Sequence, residues 1–219
     1  MTKKLSLFLT LGLAVATPAL FANTLSPGGT VPPDALTVDP ASTLVASSSG
    51  TLNAPGSFTA TYTENIYSDP SNSYCAGCLD WVIEVSNSSS SSDSIERITA
   101  SSFKGFSTDV GTNAAGAPGL SAPGSGNSPD DVTRSLNGAV IGFNFNGANA
   151  IAPGSNSMLL EIETNAQGVI PGTLSAIDSL TGSATAYGAT TPEPVTMGLL
   201  GGGLALLGLA RLRSKKNKA

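Results

Sequence analysis

Apolar and polar residues alternate with a period of two at four places in the middle of the chain. Over residues 58–63 and 79–86, every second side chain is apolar, and most of those between are polar. The same alternation recurs over 141–146 and 158–163. Because a strand points successive side chains to opposite faces, the pattern predicts β-strands, each with one face on a core and one in water.

Three weaker candidates, at 43–47, 95–100 and 172–177, bring the total to about seven short strands separated by turn-rich segments. Only 11% of the residues are charged, which disfavours solvent-exposed helices. The pattern therefore predicts an all-β fold, a single antiparallel β-sandwich that is Ig-like or jelly-roll-like. Its expected core is Phe58, Tyr62, Trp81, Ile83, Phe143, Phe145, Leu160 and Ile162.

The predicted β domain occupies residues 41–190. Before it, residues 23–40 are rich in proline and are expected to form an extended lead-in outside the core. A polar loop at 86–94 and a long Gly-, Pro-, Ala- and Ser-rich connection at 111–128 are expected outside the core as well.

The last 29 residues, 191–219, have three parts with separate physical roles. A Pro-Glu-Pro tripeptide (Pro192, Glu193, Pro194) disfavours helix, and the apolar run 195–212 that follows would form a helix about 27 Å long, enough to cross a bilayer. The basic tail 211–219 is expected to stay in the cytoplasm, so that everything before the helix lies outside. Its basic residues are Arg211, Arg213, Lys215, Lys216 and Lys218.

The N-terminal residues 1–22 have the pattern of a secretory signal peptide. Lys3 and Lys4 precede an apolar stretch at 5–16, and Ala19 or Ala22 is suited to the position before a cleavage site. The apolar stretch is too short to cross a membrane comfortably. Both ends therefore predict an exported, single-pass precursor with an extracytoplasmic body.

The C-terminal residues resemble the PEP-CTERM sorting signal of bacterial exported proteins, which an exosortase processes. The resemblance implies cleavage near the Pro-Glu-Pro tripeptide and a place at the cell surface or in the extracellular matrix. It also implies exosortase, the export machinery and exopolysaccharide as partners, with membrane contact through the helix before processing. An ordinary C-terminal membrane anchor is the alternative.

The body resembles a recurring core among PEP-CTERM proteins. The resemblance is carried by Cys75-Ala-Gly-Cys-Leu-Asp-Trp-Val-Ile-Glu-Val85 and Phe103-Lys-Gly-Phe-Ser-Thr-Asp-Val110, with further pieces at 140–145, 151–154 and 158–164. It implies a single extracellular β domain and names no activity.

The two cysteines, Cys75 and Cys78, allow redox chemistry, half of a zinc site or a short disulfide. Redox motifs place the first cysteine at the start of a helix, whereas a strand is predicted from residue 79. Zinc needs two further N or S ligands, but the chain has no histidine and no third cysteine. A disulfide that fixes the start of the Trp81 strand is the expected outcome.

Charge and composition exclude several function classes. Three basic residues of the body, Arg97, Lys104 and Arg134, stand against 15 acidic ones, which opposes binding to nucleic acid. The absence of histidine rules out a Ser-His-Asp triad and a histidine general base. We therefore expect no enzyme, no catalytic residue, no cofactor and no metal site. A structural or interaction protein of the envelope or exopolysaccharide matrix fits this composition.

A carbohydrate-, Ca²⁺- or ice-binding surface module is the alternative. Asp130 and Asp131 offer two oxygen ligands, although Ca²⁺ takes six or more. Thr59, Thr61 and Thr63 form one row, as in threonine ladders that bind ice, but one row is also an ordinary wet face.

A carboxylate-dependent hydrolase is less favoured. The pairs to inspect are Asp130 with Asp131 and Glu161 with Glu163. On the predicted strand, Glu161 and Glu163 lie opposite Leu160 and Ile162 and are expected to face water.

Overall fold

The structure, a computed structural model, describes residues 24–121 and 126–190. Within these ranges the chain forms twelve strands and a short 3-10 helix, Gly147–Asn149. The strands are β1 (Thr30–Val31), β2 (Asp34–Leu36), β3 (Thr43–Ala54), β4 (Phe58–Asp69), β5 (Cys78–Asn87), β6 (Arg97–Ser101), β7 (Thr108–Asn113), β8 (Asp131–Arg134), β9 (Val140–Asn144), β10 (Leu159–Thr164), β11 (Gly168–Ile177) and β12 (Thr181–Thr190). Among the described residues, no helix has the length and apolar character needed to cross a membrane.

The strands form two six-stranded sheets. Sheet I has the order β1-β8-β9-β6-β11-β12, and sheet II has the order β2-β7-β10-β5-β4-β3. The all-β prediction is confirmed. Purely antiparallel pairing is wrong at one place, because β2 runs parallel to β7, with Asp34 opposite Gly111.

The main core lies between the two sheets. All eight residues of the predicted core are buried in it. Trp81 of β5 meets Phe103, which follows β6, edge to face with the ring centroids 5.2 Å apart. Full burial of a large apolar side chain contributes about 1.5–3 kcal/mol, so these rows hold the sheets together.

Five strands, β1, β2, β7, β8 and β12, account for the difference between about seven predicted strands and twelve observed ones, and β3 is longer than predicted. Strands β3 and β12 show why. Their sequences, TLVASSSGTLNA and TGSATAYGAT, contain small and polar residues with little apolar alternation. Only the first residues of β3 had been proposed as a strand, and β12 had not. Each forms by pairing with a neighbour, β3 with β4 and β12 with β11.

The lead-in belongs to the fold, contrary to the expectation that it lies outside the core. It supplies β1 to the edge of sheet I and β2 to the edge of sheet II. Leu25 is fully buried in the main core, and Val38 is buried against sheet II. Pro32 and Pro33 separate the two short strands, where a missing N–H does not interrupt a sheet.

Part of the outer face of sheet II is covered rather than wet. Tyr67, Val82 and Leu159 form a second buried cluster there with Val38. The connection predicted at 111–128 does not lie wholly outside the fold, because residues 111–113 belong to β7 and residues 114–121 cover part of this face. Ala117 and Leu120 pack on the cluster, and the Tyr67 hydroxyl donates to the Pro118 carbonyl over 2.6 Å.

Candidate functional site

Several carboxylates lie side by side on the covered outer face of sheet II. Glu163 of β10 is opposite Asp80 of β5 on one side and Asp109 of β7 on the other. Glu161 lies two residues from Glu163 and therefore on the same face. Carboxylate oxygens of Asp80, Glu161 and Glu163 all lie within 4.8 Å of one another. We call these three residues the carboxylate cluster.

The prediction that Glu161 and Glu163 face water is wrong. Glu161 and Asp80 are fully buried, and Glu163 is 7% exposed. The reason is the cover over sheet II, which no local pattern in β10 reveals. Neighbouring like charges repel, and burial strengthens the repulsion, so this arrangement needs compensation.

The loop that contains the two cysteines covers one side of the cluster. Cys75 and Cys78 lie at disulfide-bonding distance, with their Cα atoms 5.3 Å apart, and β5 begins at Cys78 as expected. Within this loop, the Asn72 side-chain amide donates to Asp80 Oδ1 over 2.5 Å, and the Ser73 hydroxyl donates to Glu163 Oε2 over 2.5 Å. The cysteine pair therefore restrains a loop that orients two of the three carboxylates.

The third carboxylate is oriented from β7. The Asn113 side-chain amide donates to Glu161 Oε2 over 2.9 Å. Its own oxygen accepts from the backbone N–H groups of Ala115 and Gly116, each at 2.9 Å. Asn113 thus connects the cluster to the segment that covers it.

Some carboxylate oxygens at this site remain unsatisfied. Within residues 24–121 and 126–190, Asp80 Oδ2 and Glu161 Oε1 are buried with no hydrogen-bond partner, and so is Oδ2 of the adjacent Asp109. Asp69, at the end of β4, can bond to Asp80 only if the two carboxyls share a proton. Without a proton or a cation, these oxygens are buried at considerable cost.

The pKa values of the buried acids also reflect the lack of compensation for their negative charge. Burial, together with the charges of Glu163 and Glu161, raises the pKa of Asp80 to about 9. Burial raises the pKa of Glu161 to about 8 even though Asn113 bonds to it, and burial raises that of Asp109 to about 6. Burial also acts on Asp69, but bonds from the Asp39 and Ser71 backbone outweigh it, and the pKa of Asp69 is lowered.

The arginines of the body bond to neutral oxygens. Arg97 donates to the side chains of Asn144 and Thr133. Arg134 is buried and donates to the Thr108 hydroxyl and to the backbone carbonyls of Leu25, Phe103, Phe106 and Gly138. Neither of these two described arginines is therefore a partner of the carboxylate cluster.

The other predicted acidic pair, Asp130 and Asp131, does not form a shared site. The Asp130 carboxylate accepts from the Asn146 N–H at 2.6 Å and from the Asn149 amide at 2.7 Å. Asp131 accepts instead from the Asn144 amide. Both oxygens of Asp130 and one oxygen of Asp131 thus accept local hydrogen bonds from different partners.

The threonine row has the position expected of a wet face. Thr59 and Thr61 are exposed and Thr63 is partly exposed along β4. The Pro-Glu-Pro tripeptide, the apolar helix, the basic tail and the signal peptide all lie outside the described residues.

Sequence reasoning missed the carboxylate cluster, although one signal was present. Val82 shares its strand face with Asp80, and Leu159 shares its face with Glu161, so neither face is purely polar. An apolar residue on a supposedly wet face indicates cover. Chemically, the cluster provides only oxygen atoms, which suits protons or a hard cation. Comparison of the chain with protein-family models, with curated proteins and with solved structures gave no match.

Proposed function

We propose that the protein is exported and acts without catalysis at the cell surface, as a structural or interaction protein of the envelope or exopolysaccharide matrix. The observation that carries the proposal is the order of the C-terminal segments: Pro192-Glu-Pro194, the apolar run 195–212 and the basic tail. The signal-peptide pattern at residues 1–22 supports the same route. Exosortase, the export machinery and exopolysaccharide are the partners that this proposal names.

The body is suited to that location. A cysteine pair at disulfide distance fits an oxidising compartment, and the excess of acidic residues favours solubility outside the cell. Of the two sandwich types expected, we favour the jelly-roll-like one. Successive strands pass repeatedly from one sheet to the other, since β5, β7 and β10 of sheet II alternate with β6, β8 and β11 of sheet I.

The buried acids do not favour a hydrolase. Glycosidases need two carboxyl groups about 5–9.5 Å apart on either side of an accessible glycosidic bond. One oxygen of Glu161 lies within 4.8 Å of one oxygen of Glu163 on the same covered face, and Glu161 is fully buried. A sugar chain has no access to them without removal of the covering loops.

The intact mass of the protein from membrane and surface fractions of its host tests the proposal. We expect a mass that lacks residues 1–22 and everything after roughly Pro194. Replacement of the Pro-Glu-Pro tripeptide by three alanines should preserve the tail, while replacement of the exposed Leu136 by alanine should leave processing unchanged. A wild-type mass that retains residues 195–219 would instead identify an ordinary single-span anchor.

The surface role has its own test, which uses the processed protein. We expect the processed protein to co-sediment with exopolysaccharide from the host, which would support a role in the matrix. Selective binding to defined oligosaccharides on a glycan array would favour a carbohydrate-binding module instead.

A further inference from the structure

We propose that the carboxylate cluster of Asp80, Glu161 and Glu163 binds a calcium ion on the outer face of sheet II. The proposal rests on the geometry of the described residues and is independent of the export route. A protein that is not processed by an exosortase can still bind the ion, and a processed protein can lack it.

The spacing of the oxygens suits a single cation. Ca²⁺ binds oxygen at about 2.3–2.6 Å, so two ligands of one ion lie up to about 5 Å apart. Carboxylate oxygens of the three residues all lie within 4.8 Å of one another. The cluster brings together two neighbouring strands, β5 and β10, whose rigidity defines the position of the ion.

Unpartnered oxygens are the second, independent observation. Asp80 Oδ2 and Glu161 Oε1 are buried and accept no hydrogen bond from any described residue, whereas the second oxygen of each carboxylate does. A bound cation would satisfy these oxygens. Among the described residues, Asp109 Oδ2 is unpartnered as well and stands across from Glu163, so Asp109 is a source of a fourth carboxylate.

Neutral donors hold the three carboxylates in place. Asn72 bonds to Asp80, Ser73 bonds to Glu163, and Asn113 bonds to Glu161. Such outer-shell bonds orient the ligands of metal ions in proteins. Because none of the three donors carries a charge, they leave the negative charge of the cluster for a cation.

The ligand chemistry favours Ca²⁺ over other metals. Zinc and softer metals prefer nitrogen and sulfur ligands, whereas this chain has no histidine and its cysteines are paired with each other. Mg²⁺ requires near-ideal octahedral geometry and loses its water reluctantly, which disfavours it in a nearly dry site. Ca²⁺ accepts irregular sets of oxygen ligands, with water completing the set.

A bound ion would enter and leave the site beside Glu163. Glu163 is the one member of the cluster with any exposed surface, and Ser73, which bonds to it, is itself exposed. An ion at this place would link β5 and β10 through its ligands and the 70–77 loop through Asn72 and Ser73. Its binding should therefore stabilise the folded protein.

The test uses the full chain in detergent, stripped with EDTA and dialysed. Addition of CaCl₂ should give a saturable calorimetric heat with a Kd of about 10⁻⁴–10⁻³ M, as in extracellular Ca²⁺ modules. At about one hundred times Kd, the melting temperature should rise by about 5–10 °C. Absence of both the heat and the shift in the wild-type protein up to about 10 mM CaCl₂ would overturn the proposal and would mean that protons neutralise the cluster.

Two variants localise the effect. Glu161→Gln preserves the shape of the side chain but removes a charged ligand, and it should weaken Ca²⁺ binding at least tenfold. Glu64→Gln is the matched control, because Glu64 is also a fully buried glutamate of sheet II but does not belong to the cluster. It should retain the wild-type affinity. Equal Ca²⁺ affinity in Glu161→Gln and wild type would exclude the cluster as the site.

A spectroscopic measurement covers the case in which Glu161→Gln fails to fold. Tb³⁺ replaces Ca²⁺ at oxygen sites and emits after energy transfer from nearby aromatic rings, of which Tyr74 in the covering loop is one. Wild-type protein should sensitise Tb³⁺ emission, and CaCl₂ should quench it by competition. Emission that resists CaCl₂ would contradict the proposed site.

Discussion

Glu64 is a buried acid on the inner, apolar face of sheet II, whereas the carboxylate cluster lies on the outer face. It lies between Tyr62 and Ile66 in the inward-facing row of β4 and is fully buried. Its Oε2 accepts the Tyr187 N–H at 2.9 Å, and its Oε1 has no partner in the part of the chain that the structure describes. Burial raises the pKa of Glu64 to about 7, although the Tyr187 bond acts in the opposite direction.

Glu64→Gln should therefore change how stability depends on pH. In the wild type, the folded state holds the Glu64 proton more tightly than the unfolded state, so stability is highest below the unfolded pKa and falls as the pH rises through about 7. Above that pH the loss reaches about 3 kcal/mol, whereas glutamine has no proton to lose. Urea unfolding at about pH 4.5 and pH 8.5 should show that the variant gains stability relative to wild type only at the higher pH. Parallel pH profiles of the two proteins would contradict this.

Strands differ in how visible they are in the sequence. β4, β5, β9 and β10 are predicted because large apolar residues occupy every second position, and their inward rows form the observed core. β3 and β12 contain small polar residues that fit a strand only when a neighbour pairs with them. Local patterns carry no information about such pairing, since the partner is distant in the chain.

The sequence does not predict the burial of the carboxylate cluster, for a related reason. Alternation correctly places Asp80, Glu161 and Glu163 on the face opposite the core. Whether that face is wet depends on the lead-in, the 70–77 loop and residues 114–121, which are irregular and contribute no periodicity. Val82 and Leu159 on the same face were the detectable hint, and they indicate cover without revealing what provides it.

Strand β2 depends on a glycine in β7. A Cβ added at Gly111 would lie 2.1 Å from the Asp34 carbonyl oxygen and 2.7 Å from its carbon, both backbone atoms. Gly111→Ala should therefore displace β2 and lower the free energy of unfolding by about 1–3 kcal/mol. Hydrogen exchange should become faster at residues 34–36.

Gly168→Ala is the control for this change. A Cβ at Gly168 approaches the Thr190 side-chain methyl group at 3.1 Å, and the nearest backbone atom is 3.6 Å away. The substitution should cost less and leave exchange in β2 unchanged. If the two variants lose equal stability with β2 still protected, the close approach at Gly111 is not what holds β2.

The molecule as a whole carries an excess of negative charge. Residues 23–194 contain three basic residues and all 15 acidic ones, and the bonds described for Arg97 and Arg134 go to neutral oxygens. Mutual repulsion among surface carboxylates destabilises a compact state and is screened by salt. Buried charges are screened much less.

Sodium chloride should therefore stabilise the protein moderately. The effect should not saturate, because it comes from screening and not from an ion bound at a site. In EDTA near pH 7.5, the melting temperature should rise steadily between about 0.02 and 0.5 M NaCl. Glu161→Gln should show the same rise, because its change is buried. A melting temperature that does not respond to salt would indicate that surface repulsion is negligible.

Strand β12 ends at Thr190, two positions before Pro192. An extended chain covers at most about 3.6 Å per residue, so the sandwich has almost no stalk between its last strand and the sorting tripeptide. While the tail is inserted as proposed, the folded body must rest against the membrane surface with the end of β12 toward it. Cleavage at the tripeptide would then remove the tail without shortening any strand. The short spacing would thus hold the body at the membrane before cleavage and leave the whole sandwich intact after it.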